Sequence, residues 1–309
     1  MTLVIGSIQL GFIYAILAAG VYITLRILGT ADLTVEGSFT LGLAVSASLS
    51  LLGYPVLGLV MALVAGGMAG VVTGFLQTKA GIPAILSGIL TMSGLYSINL
   101  LVMGSSSNLS FIGHDGVFEL ATAHLPEMFN RDIVKTILPI LICVVLILVL
   151  IWFFHTHVGL CIRATGDNED MVRASSINVD AMRIITLGVA NACVGLSGAV
   201  LAQYQRFADI GSGVGMVVVG LASVIIGEVV FGRRSVKIGF ISAVVGAILY
   251  RFVIAVALST SLFPAYFLKL ISAVIVALAL AMPTVRNNIA QMLQQKEAMK
   301  KNAQSKKCV

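Results

Sequence analysis

The chain has 309 residues, of which 59% are hydrophobic and only 10% charged, with a formal net charge of +6. Its mean hydropathy is strongly positive, which a water-soluble domain could not carry without aggregating. Composition therefore excludes a soluble enzyme or nucleic-acid module and points to an all-α polytopic membrane protein, because helices satisfy their own backbone polar groups in hydrocarbon. The 31 glycines are too many for loops alone and predict tightly packed helices. Cys143, Cys161, Cys193 and Cys308 have neither paired nor metal-ligand spacing, so they read as small apolar residues.

A crossing takes about 20 apolar residues. In chain order the candidate spans are Val4 to Leu28, Gly37 to Leu52, Pro55 to Leu76, Pro83 to Met103, Thr136 to Phe154, Met182 to Tyr204, Gly211 to Val230, Ile238 to Leu258 and Tyr266 to Met282. That is about nine, within an expected 8–10. The first begins without a basic leader or cleavage site, so it is expected to be retained. Residues 1–282 form the membrane domain and residues 283–309 a basic tail.

Lys and Arg concentrate in alternate loops: Arg26, Lys79, then Arg163, Arg173 and Arg183, then Arg233, Arg234 and Lys237, and finally the tail from Arg286 to Lys307. The positive-inside rule makes that side, and the C-terminus, cytoplasmic. The tail would then be solvated or lie on anionic lipid. The outer segment 104–135 holds "FELATAHLPEMF", whose weak amphipathic pattern predicts a short surface helix. The N-terminus falls outside, unless "GTADLTVEGSF", residues 29 to 39, is broken or re-entrant and the first crossing is miscounted.

"TADLTVEGSFTLGLAVSA" from Thr30 and "FADIGSGVGMVVVGLASV" from Phe207 each set an Ala-Asp pair before a Gly/Ser-rich apolar helix. They start about five crossings apart, and an odd offset gives an inverted repeat. In the third span Gly66, Gly70 and Gly74 form a flat stripe for close helix packing, expected within this chain rather than against a second copy.

Polar residues in or beside the spans carry two readings. Thr34, Glu36, Ser38, Asn191, Gln203, Asp209 and Ser212 either line a solute path or meet an external partner. Alternatively, Glu36 and Asp209 are helix-start acids suited to the dipole, and Asn191 bonds a neighbouring helix. Asp32 and Glu36, four apart, share a face if that segment is helical. Arg251 lies about 20 Å up its helix and is expected to snorkel to headgroups, as is Lys269. His155 and His157, with His114 and His124 across the membrane, are too few and too far apart for a metal site, and no catalytic constellation stands out.

The loop "RATGDNEDMVRASSINVD", residues 163 to 180, is the most polar stretch of the chain. Asp167 or Asn168 can cap a short helix, and Glu169 and Asp170 suit its positive end. Met171, Val172 and Ala174 then form a modest apolar patch, which either docks in a partner or belongs to a solvated connector.

The run from Thr156 to Gln203, with "RATGDN" at its head, resembles the central cytoplasmic loop and following helix of branched-chain amino acid and ribose type ABC importer permeases. "LRILGTADLTVEGSFTLGLAVSAS" and "GMVVVGLASVIIGEVVFG" are similar to the subgroup associated with tryptophan, tyrosine and related amino-acid uptake. The resemblance implies a type II-like permease of the bacterial cytoplasmic membrane, with a coupling loop at 156–181 in which Gly166 to Ser176 forms a coupling helix. Arg163, Gly166, Asp167, Asn168, Met171, Val172 and Arg173 are the candidates for contact with a cytoplasmic ABC ATPase. It further implies a second permease copy in a homodimer, an extracytoplasmic substrate-binding protein, and ATP and Mg held by the partner rather than this chain. Accordingly, the sequence has no Gly-rich phosphate loop ending in Gly-Lys-Ser/Thr. The expected activity is import of a small solute by alternating access, with an amino acid, aromatic first, ahead of a sugar or nucleoside. The rival is an ion-coupled carrier or channel needing no ATPase, which wants a carboxylate deep in the membrane, and Glu228 is the nearest candidate. A membrane scaffold without transport would not need the paired Gly/Ser-rich elements.

Overall fold

The computed structural model describes residues 2–124, 131–232 and 235–259, with four isolated helical positions beyond. Its helices are α1 (Thr2–Tyr22), α2 (Thr34–Leu51), α3 (Pro55–Thr78), α4 (Ala84–Val102), α5 (Val117–His124), α6 (Arg131–Phe153), α7 (His157–Asp167), α8 (Glu169–Ala174), α9 (Val179–Gln205), α10 (Met216–Phe231) and α11 (Val236–Ser259). Seven segments among the described residues are long and apolar enough to cross a membrane: Val4–Ile27, Pro55–Thr78, Ala84–Val102, Asp132–Phe153, Val179–Gln205, Ile210–Phe231 and Val236–Ala257. These match seven of the nine expected spans. The ninth, from Tyr266 to Met282, lies almost wholly outside the described residues, as do Lys269 and the basic tail.

The second expected span is α2, which is central rather than lipid-facing. Its 18 residues carry Thr and Ser at buried positions and acquire their environment from neighbouring helices rather than from hydrocarbon. α9, the other central helix, is the axis of the fold, and 72% of its most apolar window is buried. α1 packs on it too, with Ser197 donating to the Ile13 carbonyl at 2.7 Å.

The expected glycine stripe of α3 faces α9, within the chain. A Cβ added at Gly70 would fall on the Leu187 carbonyl, one at Gly66 on the Asn191 carbonyl, and one at Gly74 would lie 2.8 Å from the Ile184 Cα. Backbone meets backbone there, so no side chain fits.

The chain does break after the first span. α1 passes into a π-turn at Ile23–Ile27 carrying Arg26. Gly29 then takes φ +74°, and helix resumes only at Thr34. Asp32 is therefore not on a helix with Glu36, and the expected shared face does not exist. The echoed segment near Phe207 is also broken. α9 ends on Arg206 at φ 66°, a short strand follows, and a 3-10 turn at Ile210–Gly213 leads to α10. In both copies the Asp of the Ala-Asp pair accepts a backbone N–H two residues on: Thr34 N to Asp32 at 2.9 Å and Gly211 N to Asp209 at 2.7 Å. α2 and α10 are separated by α3, α4, α6 and α9, so they run in opposite directions, as an inverted repeat requires.

Two ends of the bundle differ. At one, basic side chains meet acids: Arg26 with Glu228, Lys79 with Asp180, and Arg183 with Glu169. At the other, β1 (Asn108–Ser110) pairs antiparallel with β2 (Phe207–Asp209), and Arg206 forms an ion pair with Glu119 of α5. The expected surface helix is α5, though Phe118 is 2% exposed and ties it to the bundle.

Candidate functional sites at the half-helix junction and the polar loop

Hydrogen bonding organises the polar loop into two helices rather than one. Thr156 caps α7, accepting from Gly159 N. Asn168, extended at φ −156°, ends α7 and caps α8 by accepting from Met171 N at 3.1 Å. Gly166 thus belongs to α7, where its missing side chain lets the helix press on the Ile27 carbonyl and Leu28 Cα, the end of the π-turn. Asp167 is the last residue of α7 and is exposed, so the cap is Asn168.

α8 is fixed from below by charge. Glu169 accepts from Arg173 at 2.8 Å and pairs with Arg183 of α9, while Asp180 pairs with Lys79 at 3.2 Å and lies 3.7 Å from Arg173. Hydrogen bonding to Glu169 pushes the Arg173 guanidinium above its already high value, so it stays charged. The expected apolar patch is split. Met171 points outward at 68% exposure, whereas Val172 is buried at 4% and belongs to the protein's own packing. Asn168, Arg173 and Ala174 are exposed with Met171. Arg163 is half-buried and lines a polar cavity of about 420 Å³ with Arg26, Asp167 and Glu228.

The second site lies where the starts of α2 and α10 meet. Glu36, in the first turn of α2, accepts from Gly215 N at 2.9 Å, at the start of α10. A carboxylate there faces the positive ends of two helices at once. Beside it, a cavity of about 380 Å³ opens between α2, α4 and the 3-10 turn, bordered by Glu36, Thr40, Ser93, Tyr96, Asn99 and Val214 among others.

The family described as branched-chain amino acid transport system, permease component, matches residues 3–291. The chain belongs to that family. It is 34% identical to a tyrosine transport system permease protein of Clostridioides difficile (strain R20291) over 91% of both chains. It is 32% identical to an uncharacterized protein of Rickettsia prowazekii (strain Madrid E), over 75% of this chain and 79% of that one. An autoinducer 2 import system permease protein of Yersinia pseudotuberculosis (serotype O:3) is 26% identical over 82% of this chain and 67% of its own. No solved structure matches. The permease is thus the multi-pass membrane subunit of an ATP-driven importer rather than an enzyme, and its family implies ATPase and substrate-binding protein partners.

Of the permease residues expected along a path, only Glu36 borders the junction cavity. Thr34 is sealed in, sharing a hydrogen bond with Thr73 at 2.7 Å, and Ser38 is equally buried. Asn191 donates to Asp32 at 2.6 Å, so its partner is the non-helical segment before α2 rather than a neighbouring helix. Gln203 clamps the far end of α2, donating to Ser46 and Ser50 and accepting from Val117 N. Asp209 caps the 3-10 turn, and Ser212 borders a different cavity with Tyr14 and Arg251. The Arg251 guanidinium, expected to snorkel, stacks 3.8 Å over the Tyr14 ring. Glu228, the acid that would have favoured an ion-coupled carrier, is paired instead, accepting from Arg26 at 2.7 Å. Missed altogether were Ser93, Tyr96 and Asn99, although their spacing of three residues marks one face of a helix.

Proposed function

We propose that this permease imports an amino acid, an aromatic one first, by alternating access. Two identical copies would form the path, above ATPase chains that hold ATP and Mg and below a soluble receptor. The observation that carries the reading is end-to-end similarity to a tyrosine transport system permease, 91% of each chain being covered. The junction cavity, of small-molecule size, supports it.

In this reading the basic end faces the cytoplasm and α8 is the coupling element. Met171, Arg173, Asn168 and Asp167 are exposed to meet the ATPase, and Gly166 presses α7 onto the π-turn that leads to α2. A push on α8 then reaches the half-helix junction as a rigid-body shift. ATP supplied on the motor side of reconstituted vesicles should drive uptake of receptor-bound tyrosine without any ion gradient. Uptake that needs a proton or sodium gradient and ignores ATP would overturn the proposal. Mass measurement of the intact complex should find two copies of this chain.

A further inference from the structure

The 3-10 turn at Ile210–Gly213 also borders a second cavity, of about 450 Å³, together with Tyr14 of α1, Gln205 at the end of α9, Met216 in the first turn of α10 and Arg251 of α11. Its charge is one-sided. Among the described residues that border it, Arg251 alone is charged.

The Arg251 guanidinium is held in place without being neutralised. It lies 3.8 Å over the Tyr14 ring, and Tyr14, 3% exposed and stacked on Phe39, is a fixed platform. Stacking leaves the N–H donors unused, because they point outward in the guanidinium plane. No hydrogen bond or ion pair holds Arg251 among the described residues, and its Nε is buried without a partner. The neighbouring sequence supplies no acid either: from Val229 to Lys296 there is neither Asp nor Glu. What Arg251 lacks is an anion.

Two neutral donors border the same space. The half-buried Ser212 hydroxyl and the exposed Gln205 amide make no hydrogen bond within the described residues. Gln205, Val214 and Val218 are exposed, so the cavity reaches the surface, while Leu201, Val219 and Ile254 make the rest of its wall apolar. A guanidinium fork matches a carboxylate or a phosphate through paired N–H bonds. The combination suits a small organic anion with an apolar body.

We infer that this cavity receives the carboxylate of the imported solute, with Arg251 as its counter-charge and Ser212 and Gln205 as supporting donors. The assignment rests on the amino-acid reading above and narrows it to recognition of the carboxylate. A lipid phosphate shares this chemistry, and the test separates the two sources.

That test is equilibrium binding to purified permease in nanodiscs of phosphatidylcholine and phosphatidylglycerol, without receptor, using labelled tyrosine, tyramine (which lacks the carboxylate) and ribose. Tyrosine should saturate at millimolar concentration or below, and tyramine and ribose should bind about tenfold or more weakly. Arg251→Gln should weaken tyrosine about tenfold or more and leave tyramine unaltered, and Arg251→Lys, which keeps the charge without the fork, should recover part of the loss. Ser212→Ala removes no bond of the fold, so it should keep the parent melting temperature yet weaken tyrosine about tenfold, which decides the matter if Arg251→Gln fails to fold. No saturable tyrosine binding, tyramine bound as tightly as tyrosine, or tyrosine unaffected by these substitutions overturns the assignment. If Arg251→Gln then also releases phosphatidylglycerol that the parent retains in mass measurement, the occupant is lipid phosphate. Identifying the receptor's ligand separates the two failures. A receptor that carries an amino acid above a permease indifferent to the carboxylate sinks this site alone, and a receptor that carries a sugar sinks the functional reading and the site together.

Discussion

Asp32 and Asn191 illustrate what a single buried polar pair demands of this bundle. Asn191 sits about 18 Å along α9 from Val179, far from either helix end. There it gives one hydrogen to Asp32 and another to the Leu187 carbonyl. Asn191→Leu keeps the branched outline but removes the donor, so thermal unfolding in detergent should register a loss of about 1–3 kcal/mol; an unchanged melting temperature would mean that another group replaces it. Adjacent residues of α8 should diverge equally clearly. Val172→Asp places an acid where the side chain is 4% exposed and should lower yield and melting temperature, while Met171→Asp should fold normally and lose ATPase in co-purification. Composition told that these positions were notable, yet it could not tell inward from outward. That depends on the cap at Asn168 and on ion pairs to Arg183 and Asp180, contacts made across the loop rather than along it.

Among the elements, α3 and α9 are joined by absence of side chains. The stripe Gly66, Gly70 and Gly74 was legible as a flat face because a four-residue spacing is local information. Its partner was not, because that depends on Gly188, Gly195 and bare carbonyls more than a hundred residues on. Gly70→Val should cost about 1–3 kcal/mol or more through overpacking and fail to express as a folded protein. Gly94 of α4, with nothing within 4 Å of an added Cβ among the described residues, is the control. Gly94→Ala should raise stability by about 0.5–1 kcal/mol, measured by the same unfolding assay. The pairing of β1 with β2 escaped sequence reading for the same reason as the α9 partner: three-residue strands far apart carry no periodic signal.

For the whole molecule, charge bias and apolar length carried much of the reading. Seven spans, the break after the first helix and the repeated Ala-Asp turn all follow from the order of residues, since each is set by local chemistry. Where the repeats touch is a matter of packing, which is why α4 supplied cavity residues that no motif announced. The orientation makes one direct prediction. In vesicles with the receptor side outward, an impermeant maleimide should label Ser106→Cys and spare Ala174→Cys, both being exposed positions at opposite ends. Three of the four native cysteines, Cys143, Cys161 and Cys193, are buried and add little background, and Cys308, outside the described residues, is replaced by Ser for the test. Reversed labelling would invert the assignment of the two faces.

The little ribbon of residues 108–110 with 207–209 deserves a mechanical reading. It joins the surface segment after α4 to chain that runs directly into the 3-10 turn at Ile210–Gly213. Under the proposed function, a receptor that presses on that segment would pull on a turn whose Gly213 packs against the Glu36 carbonyl, joining delivery from above to the junction below.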